Sequence, residues 1–221
     1  MKLLSVLRAR SIWMIYLSEL NPRGLYDYSV VRPMIEKYKF LKVPTKIEEF
    51  DLSRGCEFKN GSFQKNPQLE IGVDITLYND GLVVDTRSST ADSDGFLEEF
   101  LSWLSTDFGV VPYQNVLRRK FYLSELSVQT DKPLNALNPK LQGFAERINS
   151  LISGFSDRPI AFETSGVRFW TDPTVMTNPP GHFLFERLEK VPFNENRYYS
   201  AAPLQTEDHL KMLEELEQIL S

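Results

Sequence analysis

The stretch that most constrains the fold is Leu69–Gly109, because it reads as a strand, a tight turn, a second strand and an amphipathic helix in direct succession. Within Leu69–Tyr78, apolar and polar residues alternate with the two-residue period of a half-buried strand. Asp80-Gly81 then supplies residues that tolerate the positive φ of a two-residue turn between strands. The sequence therefore predicts a β-hairpin followed by a helix.

The position of the turn also predicts which residues of the hairpin face each other. With Asp80-Gly81 as the loop, we expect Leu77 to lie opposite Val84 and Asp74 opposite Arg87. Opposite charges that face each other across a strand pair stabilise the sheet. The hairpin therefore predicts an Asp74–Arg87 ion pair.

The helix of this stretch has one apolar stripe and recognisable ends. Ser93 is the predicted N-cap, and Gly109 is the predicted stop. The stripe has helical spacing and consists of Leu97, Phe100, Leu101, Leu104 and Phe108. We expect this stripe to pack against the hairpin.

Composition narrows the class of protein. With 42% hydrophobic residues, the 221-residue chain is able to form a sizeable core, and its net charge of −5 does not favour nucleic acid or an anionic membrane. Cys56 is the only cysteine, so no intramolecular disulfide forms and a reducing compartment is expected. Arg8 and Arg10 interrupt the apolar N-terminal stretch, which is too short to span a membrane. The sequence predicts a cytoplasmic protein.

The remaining periodic segments predict elements on both sides of this stretch. Before it we expect a strand at Ser11–Leu20, then a helix, a weak strand at Ile47–Leu52 and a hairpin at Cys56–Gln64. The helix has Pro33 in its first turn and an apolar stripe of Met34, Ile35, Tyr38 and Leu41. After it we expect strands at Phe121–Leu126, Ile160–Thr164, Val167–Thr171, Phe183–Lys190 and Arg197–Ala201. A helix capped by Asn138 with Pro139 at its first position carries the stripe Leu141, Phe144, Ala145, Ile148, Leu151 and Ile152, and a last helix closes the chain.

The order of these elements predicts an internal duplication. Each half reads strand, helix, about four strands, helix, with residues 1–110 as the first pseudo-repeat and residues 111–221 as the second. The letters YLSEL also occur twice, at Tyr16–Leu20 and at Tyr122–Leu126. The alternative is an ordinary α+β domain whose elements alternate without duplication.

This element order resembles the saddle of the TATA-box-binding protein family. The best local likeness is ITLYNDGLVVDTRSS followed by the helix that ends at Gly109. The resemblance implies an α+β fold with two β-α-β4-α halves that form a curved antiparallel sheet with helices on one face. That family binds DNA with a basic face and wedging phenylalanines. Phe58, Phe63, Phe169 and Trp170 do not match those wedges, so only the fold is transferred.

No motif in the chain indicates a cofactor or metal. The glycine-rich phosphate-binding motifs are absent, and one cysteine with two histidines does not make a zinc site. His209 falls in the first turn of the closing helix, where we expect it to be solvated, and His182 in a Pro-Gly loop is the better candidate for a site. Cys56 is expected to be a buried, inert thiol. We therefore predict no cofactor and no metal.

Asp74 carries the main enzymatic alternative, a metal-dependent nuclease or hydrolase. An aspartate on a first strand followed by a hairpin is how several Mg²⁺-dependent folds begin. Glu70 and Asp85 are the candidate partners, but Glu70 and Asp74 are about 13 Å apart along one strand face. The ion pair with Arg87 is the preferred interpretation, and an enzyme is the less favoured class.

A second alternative is binding of nucleic acid. Arg118, Arg119 and Lys120 form the most basic run beside a predicted strand. Combined with strand aromatics, such a run suits single-stranded or bent nucleic acid. The acidic net charge favours a protein partner instead.

The sequence as a whole favours a non-catalytic binding or assembly subunit that uses an open sheet face to bind a protein partner or a second copy of itself. A sheet covered on one side leaves the other side to be occupied. The candidate partner-binding residues are aromatic or basic and fall on predicted strands or turns: Phe58, Phe63, Phe169, Trp170, Arg197, Tyr198 and Tyr199.

Overall fold

The computed structural model describes residues 1–22, 28–155, 161–172, 174–175 and 179–220. The chain divides into two compact units. The N-terminal unit comprises Val6–Ser124 and Pro203–Thr206, and the C-terminal unit comprises Met1–Ser5, Glu125–Ala202 and Glu207–Ser221.

The strands and helices of the first half of the chain are β1 (Lys2–Met14), α1 (Leu17–Leu20), α2 (Tyr28–Tyr38), β2 (Cys56–Asn66), β3 (Leu69–Tyr78), β4 (Gly81–Thr86) and α3 (Thr90–Phe108). Those of the second half are β5 (Arg119–Gln129), α4 (Pro139–Ile152), β6 (Gly166–Phe169), β7 (Phe183–Arg187), β8 (Arg197–Ala202) and α5 (Thr206–Ile219). Short 3-10 helices lie at Ile47–Phe50, Tyr113–Asn115, Leu134–Leu137 and Phe193–Glu195.

The fold class is α+β with an antiparallel sheet, as the sequence predicts. In the N-terminal unit the strand order is β2-β3-β4-β1-β5, and in the C-terminal unit it is β1-β5-β8-β7-β6, since β1 and β5 contribute residues to both. Three described strands, rather than about four, separate the helices in each half. No described helix is long and apolar enough to cross a membrane.

The core of the N-terminal unit forms where α3 packs on the sheet. Phe96, Leu97 and Leu101 of α3 are fully buried. They share one cluster of buried side chains with Val73 and Ile75 of β3. The predicted stripe of this helix is therefore largely the inner face of the unit, and its burial is the main favourable contribution to folding.

The ends of α3 are set by two short side-chain and backbone features. The helix begins one turn earlier than predicted, because the Ser89 side chain caps it by accepting a hydrogen bond from the backbone N–H of Asp92 at 3.1 Å. Ser93, the predicted cap, lies inside the helix and donates to the carbonyl of Ala9 at 2.8 Å. Gly109 ends the helix with φ of 67°, as predicted.

The central hairpin has the predicted strands but a different register. Tyr78 pairs with Gly81 and Leu77 with Leu82, so the turn is Asn79-Asp80. Asp74 lies opposite Asp85, and the predicted Asp74–Arg87 pairing is wrong. A shift of two residues keeps each side chain on its predicted face, so alternation alone does not distinguish the two registers.

The predicted hairpin at Cys56–Gln64 is instead the continuous strand β2. Asn60 has φ of 56°, and the pairing with β3 shifts between Phe58 and Gly61, which marks a β-bulge. A side chain at Gly61 would collide with the ring of Phe40. The Asn60-Gly61 pair therefore forms a β-bulge and makes room for the Phe40 ring, and it does not form a turn.

Two further predicted strands are helical turns. The strand predicted at Ser11–Leu20 ends at Met14, and its last residues form α1. Ile47–Phe50 is a 3-10 helix because the Glu49 carboxylate accepts backbone hydrogen bonds from Thr45 at 2.7 Å and Lys46 at 3.3 Å. These local hydrogen bonds outweigh the branched residues that favour a strand.

Other predicted elements differ in extent. Pro33 lies inside α2 rather than in its first turn, and Leu41 follows the end of that helix and is exposed. Residues 161–164 are not a strand, and Ile160, the first residue of the strand predicted there, lies outside the described residues. The strands β6, β7 and β8 and the helices α4 and α5 agree with their predictions to within a few residues.

The repeated pentapeptide YLSEL adopts two structures. In Tyr16–Leu20 it caps and forms α1, whereas in Tyr122–Leu126 it lies within β5. The two copies therefore do not occupy equivalent elements. The duplication stays a prediction that depends on element order.

Candidate functional site

The helix α4 presents an apolar stripe that the described chain covers only in part, since Ala145, Ile148 and Ile152 are half-buried while the larger side chains are exposed. Its start is formed as predicted, with the Asn138 side chain accepting from the backbone N–H of Lys140 at 3.0 Å and Pro139 in the first turn. No residue of the helix is buried. The exposed fractions of Leu141, Phe144 and Leu151 are 45%, 64% and 67%. The sequence predicted this stripe but not that it would face solvent.

Two hydrogen bonds from one polar side chain join α4 to the chain beside it. The side chain of Asn149 brackets the backbone of Phe162: its Oδ1 accepts from the Phe162 N–H at 2.6 Å, and its Nδ2 donates to the Phe162 carbonyl at 3.4 Å. This pair of bonds fixes the helix without covering Leu141, Phe144 or Leu151.

A second group of exposed apolar side chains lies at and beyond the end of β6. This strand is the last in the order of the sheet, and Phe169 and Trp170 are 62% and 60% exposed. Phe169 contacts Phe183 with ring centroids 6.0 Å apart, and the Arg168 guanidinium lies 5.5 Å from the Trp170 ring. Phe155, just after α4, is 90% exposed. We use the name apolar patch for these two groups of exposed side chains, one on and just after α4 and one at the end of β6: Leu141, Phe144, Leu151, Phe155, Phe169 and Trp170.

Three of the predicted partner-binding residues are core residues. Phe58 and Phe63 are buried in the N-terminal unit. Tyr198 is fully buried in the C-terminal unit, where it stacks on Phe185 at 4.4 Å and its hydroxyl accepts from the Leu134 N–H at 3.3 Å. Burial raises the pKa of Tyr198. These side chains are therefore unavailable to a partner without unfolding.

The other predicted partner-binding residues remain accessible. Phe169 and Trp170 belong to the apolar patch. Arg197 and Tyr199 are partly exposed on β8, and Arg197 pairs with Glu195 at 3.7 Å. Tyr198 and Tyr199 point to opposite faces of the strand, as the alternation predicts.

The three candidate carboxylates for the hydrolase already have partners. Both oxygens of Asp85 accept from Arg10 at 2.7 Å, which also makes Asp85 the ion-paired residue of the hairpin in place of Asp74. Asp74 accepts from the Asn60 N–H at 2.6 Å, and Glu70 accepts from the Ser62 hydroxyl. Among the described residues, no group of three or more histidine, cysteine, aspartate or glutamate side chains is arranged to hold a metal ion.

The basic run beside β5 is also engaged. Arg118 pairs with Glu19 at 2.6 Å and stacks over Tyr16. Lys120 lies 3.5 Å from the Asp94 carboxylate and 3.9 Å from the centroid of the Trp13 ring. Arg119 lies against Phe121 at 5.7 Å. The run is thus largely used within the N-terminal unit.

The two histidines occupy different environments. His182 is bonded to Arg168 through Nδ1 at 3.0 Å near the patch aromatics. His209 is fully buried, with Nε2 2.8 Å from the Ser200 hydroxyl and its ring against Phe183. The prediction of a solvated His209 is wrong, because the inner face of α5 packs it against β7 and β8.

The sequence did not single out α4 or Phe155 as candidate binding residues, although both carry exposed apolar side chains. The stripe of α4 was visible in the sequence, but a stripe indicates only that one face is apolar and not what covers it. Phe155 continues the spacing of that stripe four residues after Leu151, but it lies beyond the end of the predicted stripe at Ile152. Comparison with known proteins adds no name to this surface: no protein-family model matches the chain, and no curated protein matches it.

Proposed function

We propose that this protein is a non-catalytic binding subunit that docks a protein partner through the apolar patch of its C-terminal unit. The observation that carries the proposal is the exposed stripe of α4. A helix with an apolar stripe normally buries it, and large exposed apolar patches are typical of interaction sites.

The spacing of the stripe favours a protein as the partner. Leu141, Phe144, Ile148 and Leu151 follow the spacing i, i+3, i+7, i+10, which is the pattern of a helix that packs in a groove or against another helix. Most of the stability of a short helix in a protein comes from packing of its apolar face. Binding would supply that packing to α4.

The N-terminal unit offers a less suitable surface. Its sheet face opposite the core carries the Arg10–Asp85 ion pair and the half-exposed Thr76 and Val83, which are polar or small. The sequence favoured an open sheet face as the docking surface. We place the surface on α4 and the end of β6 instead, because the large exposed aromatic side chains are there and desolvate at little cost.

The experiment compares capture of proteins by two variants in extract of the native cells. The patch variant carries Leu141→Ser, Phe144→Ser and Leu151→Ser, and the control carries Leu41→Ser, which removes a leucine of the N-terminal unit that is still more exposed than those of the patch. Each variant is used to capture proteins from extract with and without nuclease treatment. Light scattering on the purified variants measures self-association.

The proposal predicts a stoichiometric protein, or a dimer of this chain, that survives nuclease, persists in the Leu41→Ser control and is lost in the patch variant. Equal capture by the patch variant and the control would contradict it. A partner that disappears on nuclease treatment would instead favour nucleic-acid binding.

We also propose that the fold is a duplicated arrangement like that of the TATA-box-binding protein family. It is supported by the element order, which reads strand, helix, three strands, helix in each half of the described chain, except that the first half has the additional four-residue helix α1. Divergent relatives in which the halves 1–110 and 111–221 become more alike would strengthen it. Relatives in which the halves show no likeness would contradict it.

The proposed compartment is the cytoplasm. Cys56 is a free, buried thiol, which suits a reducing environment. Fractionation of the native cells tests this: recovery of the chain outside the cytoplasmic fraction would contradict it.

A further inference from the structure

A large apolar cavity lies inside the N-terminal unit, apart from the apolar patch. Its volume is about 580 Å³, and α1, α2, α3 and the sheet contribute to its walls. Met34, Phe50, Phe58, Leu82, Phe100 and Leu104 are among its lining residues. The space is a cleft that opens to solvent on one side, where its lining residue Ile47 is 89% exposed, while Met34, Phe58 and Leu82 on its walls are buried.

The chemistry of the lining opposes filling by water alone. Ordered water inside a protein needs two to four polar partners, whereas almost all of this lining is aliphatic or aromatic. The volume falls in the range of about 300–1,000 Å³ that is typical of small-molecule sites, which are likewise mostly apolar with a few polar groups. Both features suit an organic ligand.

The polar groups of the cavity select against anions. No lysine, arginine or histidine lines it among the described residues, and Asp51 is its only charged lining residue. Hydrogen bonds from Ser53 lower the pKa of Asp51, so this carboxylate stays ionised at neutral pH. Among the described lining residues a ligand carboxylate or phosphate would meet the Asp51 carboxylate and no cationic group, and the nearby Arg54 guanidinium is itself paired with Asp51 at 3.6 Å.

Cys56 adds no reactive group to the cavity. Its thiol is buried among the lining residues, and burial, followed by the nearby Glu49 carboxylate, raises its pKa to about 11. A thiol that stays protonated is a poor nucleophile. The cavity is therefore suited to reversible binding.

We propose that the N-terminal unit binds an uncharged, predominantly apolar small molecule in this cavity. The aliphatic and aromatic walls hold the body of the ligand. Asn21 and Asn79 leave room for one neutral polar group, such as a hydroxyl, among the lining.

The first test is a titration of the full chain with the neutral fluorophore N-phenylnaphthylamine, followed by competition. Decanol and decanoate have the same chain length and differ in charge. We expect saturable binding at one site and displacement by decanol at least tenfold more effectively than by decanoate. No saturable binding, or equal displacement by the two competitors, would overturn the proposal.

The second test locates the site with variants. Leu104→Trp fills the cavity and should weaken fluorophore binding at least tenfold, while Leu41→Trp adds the same ring outside it and should leave binding unchanged. Circular dichroism checks folding, and Val31→Phe replaces Leu104→Trp if the latter is unfolded. Binding that is kept in the folded cavity-filled variant would overturn the proposal.

The apolar patch needs its own control, because an exposed apolar surface also binds such a fluorophore. The patch variant with Leu141→Ser, Phe144→Ser and Leu151→Ser should retain the saturable site. Loss of binding in the patch variant would assign the fluorophore to α4 and overturn the cavity proposal.

Discussion

The helices α3 and α4 carry similar apolar stripes, which differ in how far they are buried. The stripe of α3 is the inner face of a core in the N-terminal unit, with Phe96, Leu97 and Leu101 fully buried. The stripe of α4 has Leu141, Phe144 and Leu151 largely exposed. The difference teaches that periodicity fixes where a helix is apolar, while the surrounding elements decide whether that face is structural or free to bind.

The reason for the difference lies in what each helix meets. In α3 the ring of Phe96 contacts Tyr38, Phe63 and Phe100, at centroid distances of 5.0, 5.6 and 5.9 Å. In α4 no residue is buried, and the polar Asn149 bonds the backbone of Phe162. A core position and a surface position should therefore respond differently to the same substitution.

The largest expected effect is on folding, from Phe96→Ala in α3. Removing this fully buried ring should lower the free energy of unfolding by about 3–5 kcal/mol, because it loses transfer free energy and leaves a cavity. The matched Phe144→Ala in α4 should change it by less than about 0.5 kcal/mol. Urea unfolding of both variants at one protein concentration measures the difference.

Similar losses of unfolding free energy in Phe96→Ala and Phe144→Ala would contradict the difference described between α3 and α4. They would mean that the stripe of α4 is covered in the isolated chain. The docking proposal would then lose the observation that carries it.

A second, smaller effect separates α5 from α4 within the C-terminal unit. His209→Ala removes a buried hydrogen bond to Ser200 and a ring contact with Phe183, and should destabilise the protein by about 1–3 kcal/mol. Met212→Ala on the same helix is the control, since Met212 is 42% exposed, and should change stability by less than about 0.5 kcal/mol. A neutral His209→Ala in thermal or urea unfolding would show that α5, like α4, is loosely packed.

A third effect concerns pH and the start of α3. Burial raises the pKa of the Asp92 carboxyl, but hydrogen bonds from Lys65, Ser88 and Ser89 lower it by more, so the pKa lies below its usual value. Asp92 therefore stabilises the fold above its unfolded pKa of about 4, and this contribution is lost as pH falls through the folded value. Asp92→Asn should lower stability by about 1 kcal/mol at pH 7.

The stabilities of the wild type and of Asp92→Asn should become equal as the pH is lowered. The measurement is the melting temperature of the two proteins between pH 7 and pH 2. The difference between the two melting temperatures should shrink below about pH 4. A difference that stays constant down to pH 2 would show that the Asp92 charge does not hold the first turn of α3.

The smallest expected effect is on the chemical reactivity of a thiol. Cys56 in the wild type should react slowly with a thiol reagent at pH 8 and quickly in urea, because the folded thiol is buried and its pKa is raised to about 11. A thiol placed on α4 by Ser150→Cys, in a Cys56→Ser background, should react quickly without urea. Fast reaction of native Cys56 would indicate that the core of the N-terminal unit opens readily.

The sequence predicted what local rules determine. The alternation of Leu69–Tyr78, the stop at Gly109 and the Asn138-Pro139 start of α4 were all predictable, because each depends on a few adjacent residues. The register of the central hairpin was not, because turns at Asn79-Asp80 and Asp80-Gly81 both keep the apolar faces aligned. The choice depends on tertiary partners such as Arg10, which binds Asp85.

The candidate site was harder to predict than the fold. Burial removed Phe58, Phe63 and Tyr198 from the predicted surface, and nothing in their local sequence distinguishes them from Phe169 and Trp170, which stay exposed. Likewise, YLSEL forms a helical turn in one place and a strand in the other. Exposure and secondary structure at such positions depend on tertiary contacts that one sequence does not display.

The most direct test of the account is amide hydrogen exchange of α3 and α4 in the purified chain and in the complex captured from its native cells. The account predicts strong protection of α3 in both samples, and weak protection of α4 in the purified chain that rises on binding. Strong protection of α4 in the purified monomer, or no change of α4 in the complex, would contradict the proposal that this helix docks the partner.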